Sequence, residues 1–132
     1  MEKIRFGTIL YTGEDSLERL TEFKDEKIFI VTDPFIDKSG ILEKVRSYIT
    51  SSVETKVFSE VVPDPPIDTI ILGISEAESF NPTIIIALGG GSAIDAAKGI
   101  LSWHLMKQLR SQMLLSFMQG VCMLGLEMLL QN

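Results

Sequence analysis

The sequence predicts an α/β fold: a mainly parallel, Rossmann-like sheet with flanking helices, followed by a helical apolar tail. Three observations carry this expectation. Short β-rich apolar runs alternate with stretches of helical periodicity up to about residue 100. The runs lack strict polar alternation, as strands covered on both faces do. Gly89-Gly90-Gly91 stands directly between the last run and the next helical stretch, at the carboxyl end where open parallel sheets bind ligands.

Each element has its own warrant. Arg5–Tyr11 reads as a strand, closed by Gly13. Asp15 or Ser16 is placed to cap a short helix with Leu17 and Leu20 on one face. Lys27–Val31 is a compact β-rich run ended by Thr32-Asp33-Pro34. Ser39-Gly40 opens a helix with Ile41, Leu42, Val45 and Ile49 at helical spacing. Thr55–Phe58 is the next strand. Pro63-Asp64-Pro65-Pro66 forms a turn into a further helix, since proline suits the first helical turn. Ile67, Ile70, Ile71 and Ile74 form its apolar stripe at i, i+3, i+4 and i+7. Thr83–Leu88 reads as the clearest buried strand, and Ser92 begins the helix after the glycines.

Composition narrows the function classes. The 132 residues suit one domain, and hydrophobic residues at 45% with charged residues at 23% are ordinary for a globular protein. A net charge of −6 argues against nonspecific binding to nucleic acid or an anionic membrane. It leaves anionic small ligands open, because backbone amides hold phosphate without basic side chains. Cys122 is the single cysteine, so no internal disulfide framework exists. The first residues, Met1-Glu2-Lys3-Ile4-Arg5, lack the apolar run of a signal peptide, and a cytoplasmic setting is expected.

The segment from Thr83 to Lys98 carries the chemistry. Gly89, Gly90 and Gly91 remove side chains that keep a ligand off the backbone. The helix after them offers unpaired N–H groups and the positive end of its dipole, an environment that suits a diphosphate. The Ser92 hydroxyl adds a donor and Lys98 a charge. A G-x-G-x-x-G loop beginning at Gly89 requires glycine where Ile94 stands, and the Gly-Lys-Ser/Thr of a Walker loop is absent. A plain structural turn is the competing reading, with Ser92 and Asp95 as an S-x-x-D capping box worth roughly 1 kcal/mol.

Gly-Gly-Gly-Ser-x-x-Asp-x-x-Lys over residues 89–98 resembles the nucleotide-binding motif of iron-containing alcohol dehydrogenases. Val31-Thr32-Asp33 is similar to that family's adenosine-binding strand end, and Val62-Pro63-Asp64-Pro65 to its Val-x-Pro-Asn/Asp-Pro loop. The three segments agree in order and spacing, so the resemblance covers about residues 1–100. The wording around Val61–Asp68 is similar to alcohol dehydrogenases of ethanolamine or propanediol utilisation.

The resemblance implies NAD as cofactor. Gly89, Gly90, Gly91 and Ser92 would contact its pyrophosphate, and Asp33 would accept hydrogen bonds from the adenosine ribose. A carboxylate there repels a 2′-phosphate, which favours NAD over NADP. Without the resemblance, Asp33 reads first as a turn former before Pro34. Asp64 and Pro65 would line the cleft. Asp95 and Lys98 stand at the helix start, the first as a cap and the second near phosphate or in solvent.

Members of the family continue with a Thr-Thr-x-Gly-Thr-Gly-Ser segment and a helical domain whose aspartate and three histidines hold divalent iron or zinc. Neither is present here. His104 is the only histidine and has no histidine or cysteine at ligand spacing. This chain by itself is therefore expected to be no competent dehydrogenase.

Composition breaks near Ser102. Residues 1–102 hold 17 acidic and 10 basic residues, a net of −7, together with all the prolines and aspartates. Residues 103–132 hold only Lys107, Arg110 and Glu127 as charges, a net of +1, and five of the six methionines. The methionines at 113, 118, 123 and 128 recur every five residues, a step of about 500° that builds no single helical stripe. The uncharged stretch from Ser111 to Leu126 is 16 residues, short of the roughly 20 a membrane span needs.

The expected division is thus an NAD-binding unit over 1–102 and a non-family apolar tail over 103–132, on a truncated chain that lacks its metal-binding part. The tail is either a helix continuing from the glycine loop over the sheet or an aberrant end; exposed, it favours self-association. A glycerol dehydrogenase or dehydroquinate synthase relative is the second expectation. A non-catalytic assembly module, binding itself or a separate metal-binding chain, is the third.

Overall fold

The computed structural model describes residues 11–118, with side chains through Leu109. After a 3-10 helix at Ser16–Glu22 come β1 (Lys27–Thr32), α1 (Pro34–Lys38), α2 (Ile41–Ser47) and β2 (Glu54–Phe58). Then follow α3 (Ile67–Phe80), β3 (Ile84–Leu88) and α4 (Gly91–Met118). The three strands form one parallel sheet in the order β2-β1-β3. Parallel neighbours require crossovers, which α1 with α2 and α3 supply. The α/β, Rossmann-like class is as the sequence predicts. Except for Tyr11, the strand expected at Arg5–Tyr11 lies outside the described residues, as do residues 119–132.

The central strand is β1, not β3. Ile28, Phe29, Ile30, Val31 and Thr32 are all fully buried, whereas every residue of β3 is half-buried. Both runs are apolar, but only β1 has a hydrogen-bonded strand on each side among the described residues. Alternate β1 side chains serve two cores. Phe29 and Val31 join Phe58, Ala77, Phe80 and Ile100 on the face covered by α3 and α4. Ile28 and Ile30 join Leu42 and Val53 on the face covered by α2. The Phe29 ring lies 6.3 Å from those of Phe58 and Phe80. Burying each such side chain stabilises the fold by about 2 kcal/mol.

The packing face of α3 departs from the expected isoleucine stripe. Ile67 and Ile71 point outward at 74% and 55% exposure, while Gly73, Ala77 and Phe80 are buried. Small residues let α3 and α4 approach closely. A Cβ on Gly73 would stand 2.6 Å from Ile100 Cδ1, and one on Gly99 would stand 3.2 Å from Ile70 Cγ2. The helix ends at Asn81, which takes the left-handed conformation and donates its backbone N–H to Ala77.

Two terminal details also differ. The segment after Asp15 forms a 3-10 helix, and the Asp15 side chain makes no capping hydrogen bond. Helix α4 begins at Gly91, and the Gly90 carbonyl accepts from the Ile94 N–H. Ser92 therefore lies inside the first turn and cannot cap it, so the Ser92–Asp95 capping box does not form. Helix α4 runs unbroken through the composition change at Ser102. Among the described residues no helix is long and apolar enough to cross a membrane.

Candidate functional site

The site lies where β1 and β3 end. Thr32 and Leu88 are register partners, and the buried Thr32 hydroxyl donates to the Leu88 carbonyl at 2.7 Å. This tie sets the next residues, Asp33 and Gly89, side by side. Asp33 is extended, and its Oδ1 accepts from the Ile36 N–H at 2.8 Å, capping α1. Its other oxygen faces the glycine turn: a Cβ on Gly89 would stand 3.3 Å from Asp33 Oδ2. Gly89 has φ +143, a conformation that side chains strain to adopt.

Gly90 and Gly91 differ from Gly89. Neither has positive φ, and a Cβ on either would meet nothing within 4 Å. Folding does not demand glycine at these two positions. Both line a cleft of about 370 Å³, together with Asp33, Phe35, Val62 and Ser92. The first turn of α4 opens there, and its leading N–H groups have no partner within the helix. The loop after β2 forms another wall, anchored by buried Val61, whose N–H donates to the Thr32 carbonyl at 3.3 Å.

The structure thus brings together Asp33, Gly89, Gly90, Gly91 and Ser92. Asp64, Pro65, Asp95 and Lys98 do not line the cleft. Asp64 holds the turn before α3 in the left-handed region, at φ +47. Asp95 and Lys98 are exposed on α4, and Lys98 lies about 10 Å along the helix from Gly91. Phe35 also lines the cleft, and the sequence alone assigns it no role; Thr32 and Val62 stand in the two segments that resemble the family's strand end and loop. The signal for Phe35 is an aromatic residue directly after Asp33-Pro34.

The family model for iron-containing alcohol dehydrogenase matches residues 7–117. The chain belongs to the iron-containing alcohol dehydrogenase family. This match runs past the composition break at Ser102. Among curated relatives, 1-propanol dehydrogenase PduQ of Citrobacter freundii is 38% identical over 101 residues, 76% of this chain and 27% of that protein. That relative agrees with the resemblance to the propanediol-utilisation branch. The NADPH-dependent butanol dehydrogenase of Clostridium saccharobutylicum is 38% identical over 93 residues, 69% of this chain and 24% of that protein. Among solved structures, the iron-containing alcohol dehydrogenase of Thermococcus thioreducens superposes with a TM-score of 0.60 at 26% identity. It matches over 67% of this chain and 24% of its own. The chain spans about a quarter of the length of these relatives.

The cleft residues fit a dinucleotide of the kind iron-containing alcohol dehydrogenases use: open glycine backbone, free amides at a helix start and a nearby carboxylate. A metal centre does not fit the described residues. No group of three histidine, cysteine, aspartate or glutamate side chains stands together among them. His104 sits on α4 with its Nε2 3.2 Å from the Gln108 amide nitrogen.

Proposed function

We propose that this chain supplies the NAD-binding part of a metal-dependent alcohol dehydrogenase. The observation that carries the reading is the juxtaposition of the Asp33 carboxylate with the glycine turn that opens α4. The pyrophosphate lies against Gly90, Gly91 and Ser92, where backbone amides and the helix dipole oppose its charge. Asp33 accepts from the adenosine ribose through the oxygen that does not cap α1. Gly89 keeps the strand-to-helix turn tight, while Asp64, Pro65, Asp95 and Lys98 shape the surroundings without direct contact.

A nicotinamide dinucleotide held there would supply the hydride acceptor: in the whole enzyme an alcohol would lose a hydride to it and its hydroxyl proton to solvent, becoming an aldehyde. Divalent iron or zinc for that step requires ligands beyond the described residues. The chain's own task is to bind and orient the dinucleotide. Asp33 favours NAD over NADP by repelling a 2′-phosphate. One relative's name states NADPH dependence, so the preference rests on the residue rather than on family membership. A cytoplasmic setting, with NAD(H) as the small-molecule partner, accompanies this reading.

Calorimetric titration of the purified chain with NAD, NADH and NADP tests it, repeated with Asp33→Ala and Gly91→Val. Saturable NAD binding weakened by both substitutions supports the reading. Absence of binding by a folded chain reduces the glycine loop to a turn.

Self-association is a second reading, favoured by outward Ile67 at 74% and Met106 at 64% exposure. Light scattering tests it, and a dispersed monomer at high concentration counts against it.

A further inference from the structure

We infer that Phe35 is a base-stacking residue that sets the affinity of the cleft for the adenine end of its ligand. This rests on the NAD reading above and extends it to a residue that reading does not use. Phe35 is 76% exposed, the most exposed of the large apolar side chains on the described surface. It lies on α1, two residues after Asp33, and lines the cleft beside Val62 and Pro63. The cleft is therefore chemically divided. Gly90, Gly91 and Ser92 offer backbone amides and a hydroxyl, while Phe35, Val62 and Pro63 offer apolar surface. Asp33 lines the same cleft, two residues before Phe35, with one carboxylate oxygen toward Gly89.

A ligand that uses both parts carries an anionic group and a flat apolar group joined by a hydroxyl-bearing spacer. Pyrophosphate, ribose and purine meet that description in that order. The same Asp33 carboxylate that faces the glycine turn caps α1 through the Ile36 N–H at 2.8 Å. It thereby fixes the short helix that carries Phe35. Ribose contact and base platform are held by one residue, so the platform is organised before the ligand arrives. Aromatic faces stack on bases without needing hydrogen bonds, which suits a ring on an otherwise apolar wall.

The test compares ADP and NAD binding to the full chain with those to Phe35→Ala and Phe35→Tyr. Removing the ring is expected to weaken both ligands about tenfold, and tyrosine to restore them. The adenine H2 and H8 resonances are expected to shift upfield on binding to the parent and to Phe35→Tyr. In Phe35→Ala that shift is lost, a change that a merely structural role would not produce. The ring is mostly exposed, so thermal midpoints of the three proteins should agree. Unchanged ADP affinity, or a persisting upfield shift in Phe35→Ala, overturns the inference while leaving the NAD reading standing. A folded parent chain that binds neither ADP nor NAD overturns both.

Discussion

The Trp103 indole N–H donates to the Glu78 carboxylate at 2.8 Å, joining α4 beyond the composition break to the outer side of α3. Lys107 reaches the same oxygen at 3.0 Å. These contacts hold Glu78 below the usual carboxylate range, the indole hydrogen bond first and the Lys107 hydrogen bond next. A carboxylate whose folded pKa is depressed stabilises the fold above its unfolded pKa and loses that contribution as pH falls through the folded value. The group is exposed, so the effect on global stability is small. Trp103 is the only tryptophan and reports the contact directly. Its emission is expected to change on acidification with a midpoint below the ordinary glutamate range. Glu78→Ala should give the acid-form spectrum already at neutral pH. Identical spectra of Glu78→Ala and the parent at neutral pH would rule out the contact.

The close approach of α3 and α4 makes Gly73 sensitive. A methyl group there would stand 2.6 Å from Ile100 Cδ1 and 3.1 Å from Phe58 Cε1. Gly73→Ala gains helix propensity but overpacks the interface, at a net cost of about 1–3 kcal/mol. Urea denaturation measures it. Combining Gly73→Ala with Ile100→Val, which removes the clashing Cδ1, should recover part of the loss. A double variant weaker than the sum of both single variants would place the strain elsewhere.

Much of this was legible in the chain itself. Ile28–Val31 reads as a buried strand because β-branched and aromatic residues follow one another without a polar break. The triple glycine reads as a ligand turn because little else puts three glycines between a strand and a helix. Strand order was less legible: Ile84–Leu88 is as apolar as Ile28–Val31, and which of them lies inside depends on pairing partners far away in sequence. The orientation of α3 was hidden because its contact face uses Gly73 and Ala77, which carry little weight in an apolar stripe beside Ile67 and Ile71. The start of α4 was misplaced by one residue because serine is a strong cap former in general, whereas Gly90 occupies the cap here. Phe35 could not be read as a cleft residue until α1 turned it out of the core.

The three glycines should separate by experiment. Gly89 needs its left-handed φ of +143 and has Asp33 Oδ2 and Ala93 Cβ in the way of any side chain. Gly89→Ala is expected to destabilise the fold by about 1–3 kcal/mol. Gly91 has ordinary backbone geometry and open space, so Gly91→Val should fold within about 0.5 kcal/mol of the parent. Its loss should appear in NAD affinity instead. Urea midpoints and calorimetric titrations on the same samples decide this. A Gly91→Val variant as unstable as Gly89→Ala would make the whole turn structural.

Asp33 caps α1 and carries the proposed ribose contact, and its two oxygens can be separated chemically. Oδ1 caps α1. Removing the cap in Asp33→Ala should cost about 1 kcal/mol of stability and loosen the helix that carries Phe35. Asp33→Asn keeps a side-chain acceptor for the Ile36 N–H, so stability should stay near that of the parent. The asparagine removes the negative charge facing Gly89, and with it the repulsion of a 2′-phosphate. The NAD-to-NADP affinity ratio of Asp33→Asn should therefore fall at least tenfold, with NADP gaining more than NAD loses. If the ratio is unchanged in Asp33→Asn while Asp33→Ala is destabilised, the carboxylate acts only as a helix cap. Dinucleotide discrimination then lies outside this strand end.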